Sequence, residues 1–186
     1  EFNQNKDRFI KKINNSFNQI LENENTIFIG EDILDPYGGA FKVSKGLSDK
    51  YPKRVIGTSI SEGLIGGIAN GLALNGFKPF AEFMFGDFTT LIVDQLQQHA
   101  AKFKKMYANK VTCPVIVRTP MGGKRGYGPT HSQSIESMFY SIFGLRIVAL
   151  NQFVAPQQTI GALVKISEEP TLLIENKSIY TQRRIT

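Results

Sequence analysis

Glu62 has the most distinctive setting of the acidic residues. It lies in the segment TSISEGLIGGIANGLALNG, where a polar turn leads into a glycine-rich apolar stretch that predicts a helix over 62–76. A carboxylate in the first turn of a helix is stabilised by the helix dipole, so a structural role is one interpretation and ligand binding is the other. Because glycine disfavours a helix interior, the glycines indicate close approach to a neighbouring helix or subunit. The GLIGG run matches neither a P-loop nor GxGxxG, which disfavours nucleotide binding.

His131 follows a loop of unusual composition. The segment TPMGGKRGYGPTHSQS holds four glycines and two prolines in 16 residues, which is uncommon in a connecting turn and typical of a loop that contacts a ligand. An imidazole at its end could transfer a proton near pH 7 or support the loop. No second histidine or cysteine stands at metal-ligand spacing, so no zinc site is expected. Cys113, in TCPVIV, is interpreted as a buried structural thiol.

Three phenylalanines surround a predicted strand-to-helix turn in the segment EFMFGDFTTLIVDQLQQHAAKF. Phe83 and Phe85 share one face of the strand by its period of two, which favours core packing. Phe88 lies past the glycine, where it could face a ligand. Asp87 is suited to capping the following helix.

Short apolar runs rich in β-branched and aromatic residues alternate with helical patterns along the chain. This alternation predicts an α/β fold with a mostly parallel sheet of about six strands, flanked by helices on both faces. Ligands of such sheets bind at the carboxyl ends of the strands, so the residues that follow each strand are expected to meet there. The predicted strands lie near 26–30, 53–57, 78–85, 113–118, 145–150 and 171–176, and the predicted helices near 10–21, 40–51, 62–76, 89–106, 134–144 and 155–167.

Composition limits the classes of protein to consider. With 186 residues, of which 41% are hydrophobic, the chain can bury one substantial core, and we expect one domain over 1–186. No apolar run approaches the roughly 18 residues that span a bilayer, and the polar start lacks the apolar segment of a secretory signal, so we expect a cytoplasmic protein without a membrane partner. The net charge of +6 is scattered rather than clustered, which disfavours nucleic acid as a partner.

Six segments in order, IGEDI, YGGAFKVSKGL, TSISEGLIGGIANGLALNG, FAEFMFGDF, VIVRTPMGG and YGPTHSQSIE, resemble the beta subunit of the first component of 2-oxo acid dehydrogenase complexes. The resemblance covers residues 26–180 approximately. It implies a transketolase-like pyrimidine-binding domain, thiamine diphosphate as the cofactor, and oxidative decarboxylation of a 2-oxo acid with acyl transfer to lipoyl.

The resemblance also implies roles for five residues. Glu62 matches the glutamate that shares a proton with N1′ of the aminopyrimidine, for which its carboxyl must hold a proton near neutral pH in a desolvated setting. Glu31 matches a second acid of that site, and Ile60 matches an apolar residue beside the pyrimidine. Phe88 stands where a tyrosine is usual, which keeps stacking and loses the phenol. His131 matches a histidine over the reacting centre.

The motif that holds magnesium and the diphosphate in this superfamily, GDG followed by NN, is incomplete, because Gly86-Asp87-Phe88 lacks the third glycine and no paired asparagines follow. The resemblance therefore implies an alpha subunit that binds magnesium and the diphosphate, a second copy of the chain in an alpha2beta2 assembly, and a lipoyl acyltransferase core. The carboxy-terminal domain usual in the family is missing, so we expect a truncated or partial chain that is inactive without its alpha partner.

Several alternatives stay open on the sequence alone. A fragment of a transketolase or of a deoxyxylulose-phosphate synthase shares the fold and the activating glutamate. A non-catalytic domain that mediates assembly through the glycine-rich helix is a further candidate. A structural potassium ion near the 113–118 strand is possible in this family, and the sequence does not identify which 2-oxo acid is used.

Overall fold

The architecture comes from a computed structural model, which describes residues 7–166 and 168–183. Six strands alternate with five α-helices, and shorter turns of 3₁₀- and π-helix connect them. The strands are β1 (Thr26–Glu31), β2 (Val55–Thr58), β3 (Lys78–Glu82), β4 (Ile116–Met121), β5 (Arg146–Leu150) and β6 (Thr171–Asn176). The α-helices are α1 (Phe9–Ile20), α2 (Leu47–Lys50), α3 (Glu62–Leu74), α4 (Ala101–Met106) and α5 (Pro156–Ile166).

All six strands form one parallel sheet in the order β2-β1-β3-β4-β6-β5, which confirms the predicted fold class. The chain leaves β1 toward β2 on one side and leaves β3 toward β4 on the other. Because neighbouring strands whose connections diverge leave a crevice at their carboxyl ends, the topology places a ligand crevice between β1 and β3. The last residues of these strands in the paired register are Gly30 and Glu82.

Two apolar cores cover the two faces of the sheet, as expected for strands whose central residues are buried on both sides. One core packs α3, α4 and the 135–142 segment against the sheet, with Ile65, Leu96 and Phe139 as central members. The other packs α1, α2 and α5 against the opposite face, where Phe17 meets Phe28 and Phe80 edge to face. No helix among the residues that the structure describes is long and apolar enough to cross a membrane.

Three predicted helices are wrong in extent. The helix predicted over 89–106 is a 3₁₀ segment at Gly86–Ile92, a π-helix at Gln95–Ala100 and only then α4. Thr89 Oγ1 bonds to the Gly86 carbonyl at 2.6 Å and Thr90 Oγ1 to the Asp87 carbonyl at 2.9 Å, and these side-chain bonds compete with an α-helical turn.

The other two are also shorter than predicted. Gly46, at φ 82°, precedes the single turn of α2, so most of the 40–51 stretch is irregular. The 134–144 stretch is reduced to a 3₁₀ turn at Glu136–Phe139 and ends near Gly144 at φ 92°. The strand predicted over 78–85 ends at Glu82, which leaves Phe83 and Phe85 beyond it.

A buried ionic cluster joins three neighbouring strands. Arg118 of β4 contacts the Glu82 carboxylate of β3 at 2.6 Å and makes a bidentate pair with Glu175 of β6 at 2.8 and 2.5 Å. The Tyr180 hydroxyl donates to Glu175 at 2.7 Å and accepts from Arg118 at 3.0 Å. Burial alone would lower the pKa of Arg118, but the Glu175 and Glu82 carboxylates outweigh it and raise that pKa.

We predict that Arg118→Met destabilises the fold by about 3–5 kcal/mol, because it leaves two carboxylates buried without their cation. Urea unfolding followed by circular dichroism measures the change. Lys104→Met is the matched control, since Lys104 pairs with Glu168 at 2.9 Å on the surface, and little change in its unfolding midpoint is expected. Equal midpoints for the two variants would contradict the prediction.

Candidate functional site

The crevice at the carboxyl ends of β1 and β3 gathers most of the residues that the sequence singled out. Glu31 ends β1 and pairs in register with Thr58, which ends β2. Glu62 begins α3 after the short turn that follows β2. Phe88 and His131 belong to the segments that follow β3 and β4. Topology thus brings residues that are far apart in sequence to one edge of the sheet.

Glu31 and Glu62 form a carboxyl pair on the β1 side. Glu31 is 3% exposed, and its Oε1 has no hydrogen-bond partner among the described residues. Burial raises the pKa of Glu31, and the Glu62 and Asp32 charges raise it further, against the lowering effect of a hydrogen bond from the Ser61 backbone. Glu62 itself is half-buried. The pair therefore places a buried carboxyl with a raised pKa beside a half-buried carboxyl.

Ile60 lies in the turn just before this pair and is 75% exposed. Its side chain is free to contact a ligand or another chain. The neighbouring surface of α3 is also apolar, because Leu64 and Ile68 are exposed and an added Cβ at Gly67 would meet nothing within 4 Å. The close approach that the glycines of α3 predicted occurs within the chain at Gly66, which packs closely on Ile92.

His131 and Phe88 belong to an aromatic cluster on the β3 side. The His131 ring packs edge to face on Phe85 at 4.8 Å and on Phe88 at 5.2 Å between centroids. Tyr127 packs on Phe85 at 5.1 Å, and Phe41 also contacts both rings. The Thr130 hydroxyl lies 2.8 Å from His131 Nδ1. The imidazole is thus held by two aromatic rings and one polar contact.

Sequence reasoning missed the residues that hold the loop. Asp87 does not cap a helix through its side chain, and instead accepts a 2.7 Å hydrogen bond from the Gln133 side chain. Lys177 donates to the His131 carbonyl at 2.5 Å. The only sequence signal for these roles is position, since Asp87 follows β3 and Lys177 follows β6 at the ligand edge of the sheet.

The metal and thiol predictions concern other parts of the chain. No group of three or more His, Cys, Asp or Glu that could hold a metal ion occurs within residues 7–166 and 168–183. Cys113 is buried, and burial raises the pKa of its thiol to about 12, which suits a structural role. A cavity of about 550 Å³ adjoins Cys113 and Glu168, near the strand where potassium is expected, and that ion stays a prediction.

We predict that Glu31→Gln removes a pH-dependent cost to stability. Because the pKa of Glu31 is raised in the fold above its ordinary value of 4.5, the folded state binds that proton more tightly than the unfolded state. The glutamate therefore lowers stability as pH rises from the ordinary value through the raised one. The gain in urea midpoint from Glu31→Gln should be larger at about pH 7.5 than at about pH 4. Glu24→Gln, at an exposed turn, is the control, and a gain that does not change with pH would contradict this account.

Comparisons with known proteins show the family to which the chain belongs. The family model described as transketolase, pyrimidine binding domain, matches residues 9–182. The chain is 34% identical over 174 residues to the 2-oxoisovalerate dehydrogenase subunit beta of Bacillus subtilis, covering 92% of this chain and 53% of that protein. It is 31% identical over 169 residues to a mitochondrial pyruvate dehydrogenase E1 component subunit beta-2 of Oryza sativa, covering 90% and 45%.

A third relative is the acetoin:2,6-dichlorophenolindophenol oxidoreductase subunit beta of Cupriavidus necator, 33% identical over 181 residues, covering 89% of this chain and 53% of that protein. A solved structure titled split gene transketolase, inactive beta4 tetramer, superposes with a TM-score of 0.65 at 17% identity, covering 91% of this chain and 49% of that one, and shows the shared fold. The chain spans about half the length of the curated relatives it matches. It belongs to the transketolase pyrimidine-binding domain family and is homologous to the beta subunits of 2-oxo acid dehydrogenases.

Proposed function

We propose that the chain forms the pyrimidine-binding half of a thiamine diphosphate site in the beta subunit of a 2-oxo acid dehydrogenase. The observation that carries the proposal is the carboxyl pair at the β1–β3 crevice, where Glu31 is buried with a raised pKa beside Glu62. An aminopyrimidine has ring nitrogens that share protons with carboxyl groups and an apolar ring that stacks on aromatic side chains. The crevice offers both kinds of contact.

When bound, thiamine diphosphate supplies a thiazolium carbon that adds to the 2-oxo acid after losing its proton. In our proposal the Glu62 carboxyl would share a proton with N1′ of the pyrimidine and so would hold that ring. The buried Glu31 carboxyl, whose pKa is raised by burial and by the Glu62 charge, would line the same pocket beside Glu62. Ile60 and Phe88 give apolar contacts to the pyrimidine ring. His131 stands over the reacting centre, where it moves a proton or stabilises charge.

The remaining parts of the site are proposed to come from partners. An alpha subunit would hold magnesium and the diphosphate, since Gly86-Asp87-Phe88 lacks the third glycine of GDG and no paired asparagines follow it. The exposed apolar face of α3, which begins at Glu62, is suited to contact with another subunit of an alpha2beta2 assembly. A lipoyl acyltransferase core would accept the acyl group. The names of the relatives support a 2-oxo acid dehydrogenase reaction in general, because they include enzymes for different 2-oxo acids.

We expect the isolated chain to bind thiamine diphosphate weakly, because the contacts to magnesium and the diphosphate would be absent. Isothermal titration calorimetry with and without magnesium measures this affinity. The same titration of the assembled enzyme is the positive control. Micromolar, magnesium-dependent binding by the 186-residue chain alone would contradict the division of the site between two subunits.

We expect Glu62→Gln to reduce turnover of the assembled enzyme more than ten-fold while assembly is kept, because the amide preserves the shape and cannot share the proton. A ten-fold loss corresponds to about 1.4 kcal/mol in the barrier. Decarboxylation of the 2-oxo acid and the mass of the assembly are measured together. Glu24→Gln serves again as the exposed control. An assembled Glu62→Gln enzyme that keeps more than a tenth of the activity would exclude Glu62 as the activating residue.

A further inference from the structure

Lys177 is fully buried, at 0% exposure, in the 3₁₀ turn that follows β6. Lysine is among the residues least often buried, because removing an ammonium group from water is costly unless other groups compensate. The position lies at the carboxyl edge of the sheet, directly behind the loop that carries His131. A buried cation at this place requires a structural or functional reason.

The contacts that the Lys177 ammonium group makes with the described residues are in the region around His131. Lys177 Nζ donates to the His131 carbonyl at 2.5 Å, and it lies 4.8 Å from the Phe85 ring centroid and 5.6 Å from that of Tyr127. The two rings compensate the charge through cation–π contacts. Burial lowers the pKa of Lys177, while the Asp87 carboxylate opposes that change. Phe85 is shared, since the same ring also packs against the imidazole.

Further contacts hold the loop on both sides of His131. Arg125 Nη2 donates to the Lys177 carbonyl at 3.0 Å, so the loop and the 3₁₀ turn bond in both directions. At the base of the loop, Gly122 N donates to the Gln133 carbonyl at 3.1 Å, and the Gln133 side chain donates to Asp87.

Gly122 is required at this base. It adopts φ +91°, and a Cβ there would meet the Asn176 side chain at 3.1 Å. Both the backbone conformation and the available space thus favour glycine. The hydrogen bonds of Lys177 to the His131 carbonyl and of the Gln133 side chain to Asp87 together fix the 131–133 segment, from the β6 side and from the β3 side respectively.

We propose that Lys177 is a positioning residue for His131: its ammonium group fixes the main chain at His131 and so sets where the imidazole stands against Phe85 and Phe88. The role in turnover rests on the proposed function, in which His131 lies over the reacting centre, whereas the positioning itself does not. A group that is held in place before substrate binds needs no reorganisation during the reaction, and misplacement by about 1 Å can reduce a rate on the order of a hundred-fold.

Lys177→Met tests the proposal, because methionine keeps most of the buried volume and removes the donor and the charge. Lys42→Met is a matched control, since Lys42 also donates to a main-chain carbonyl, that of Tyr37 at 2.8 Å, and lies over an aromatic ring, but on an exposed loop. The first readout is the imidazole Cε1–H signal in NMR spectra. The described part of the chain has two histidines, and the signal lost in His131→Asn identifies His131 while His99 is the internal reference.

Lys177→Met should shift or broaden the His131 signal and leave the His99 signal unchanged, and Lys42→Met should leave both unchanged. A folded Lys177→Met protein with an unaltered His131 signal would overturn the positioning role. If Lys177→Met does not fold, the unsubstituted protein provides the test. Its Lys177 ammonium protons should exchange slowly with solvent and show scalar coupling to the His131 carbonyl carbon, and rapid exchange without that coupling would refute the proposal.

The second readout is kinetic and uses the assembled enzyme. We expect Lys177→Met to lower kcat on the order of ten-fold to a hundred-fold while the affinity for thiamine diphosphate stays within about two-fold, and Lys177→Arg, which keeps a cationic donor, to restore part of the loss. If Lys177→Met alters the His131 signal and leaves kcat unchanged, Lys177 positions His131 and His131 has no role in the reaction. An unaltered signal with reduced kcat would overturn positioning and leave the proposed function intact.

Discussion

The Arg118 cluster is the interaction on which the ligand edge of the sheet depends. Its guanidinium lies on β4 and bonds to carboxylates of β3 and β6, so three adjacent strands are joined near their carboxyl ends. The chain leaves Glu82 toward Phe85 and Phe88, leaves Arg118 toward the His131 loop and leaves Glu175 toward Lys177. The segments that carry Phe85, His131 and Lys177 thus begin within a few residues of one buried ion network, which fixes their relative positions before a ligand arrives.

Charge is divided across the crevice. On the β1 side, the acidic pair of Glu31 and Glu62 stands where the proposed function requires a shared proton. On the β3 side, Lys177 and Arg125 accompany His131, and the Asp87 carboxylate acts on the Lys177 charge. The division suits the proposed reaction. A carboxyl on one side would share a proton with the cofactor, and cationic side chains on the other side would stabilise the negative charge of a 2-oxo acid.

The sequence predicted the sheet better than the helices. The strand predicted over 171–176 matches β6, because continuous burial on both faces leaves a run of apolar residues that is easy to recognise. The helix predicted over 89–106 was wrong in extent, because threonine side chains bond locally to the main chain and tighten the turns. Such local bonds do not change the helical spacing of apolar residues, so the sequence pattern could not predict them.

The same distinction explains what could be foreseen at the site. Glu62 and His131 lie beside strand ends and glycine-rich segments, and both of these features can be recognised in the local sequence. Lys177 and Asp87 act through contacts with residues 46 positions away in the chain, so they depend on the tertiary arrangement. Lysine is normally read as a solvated residue, and nothing in the local sequence NKSIY indicates that this one is buried.

The exposure of the α3 face links assembly to the chemistry that we propose. Within this chain Glu31 is buried whereas Glu62 is half-buried. Ile60 and Leu64 flank Glu62 and are exposed, at 75% and 48%. A subunit that covered these apolar side chains would also exclude water from Glu62, so the same contact would stabilise the assembly and close the proposed site. Under the proposed function, desolvation of the pyrimidine-binding half-site would therefore depend on the surface of another chain.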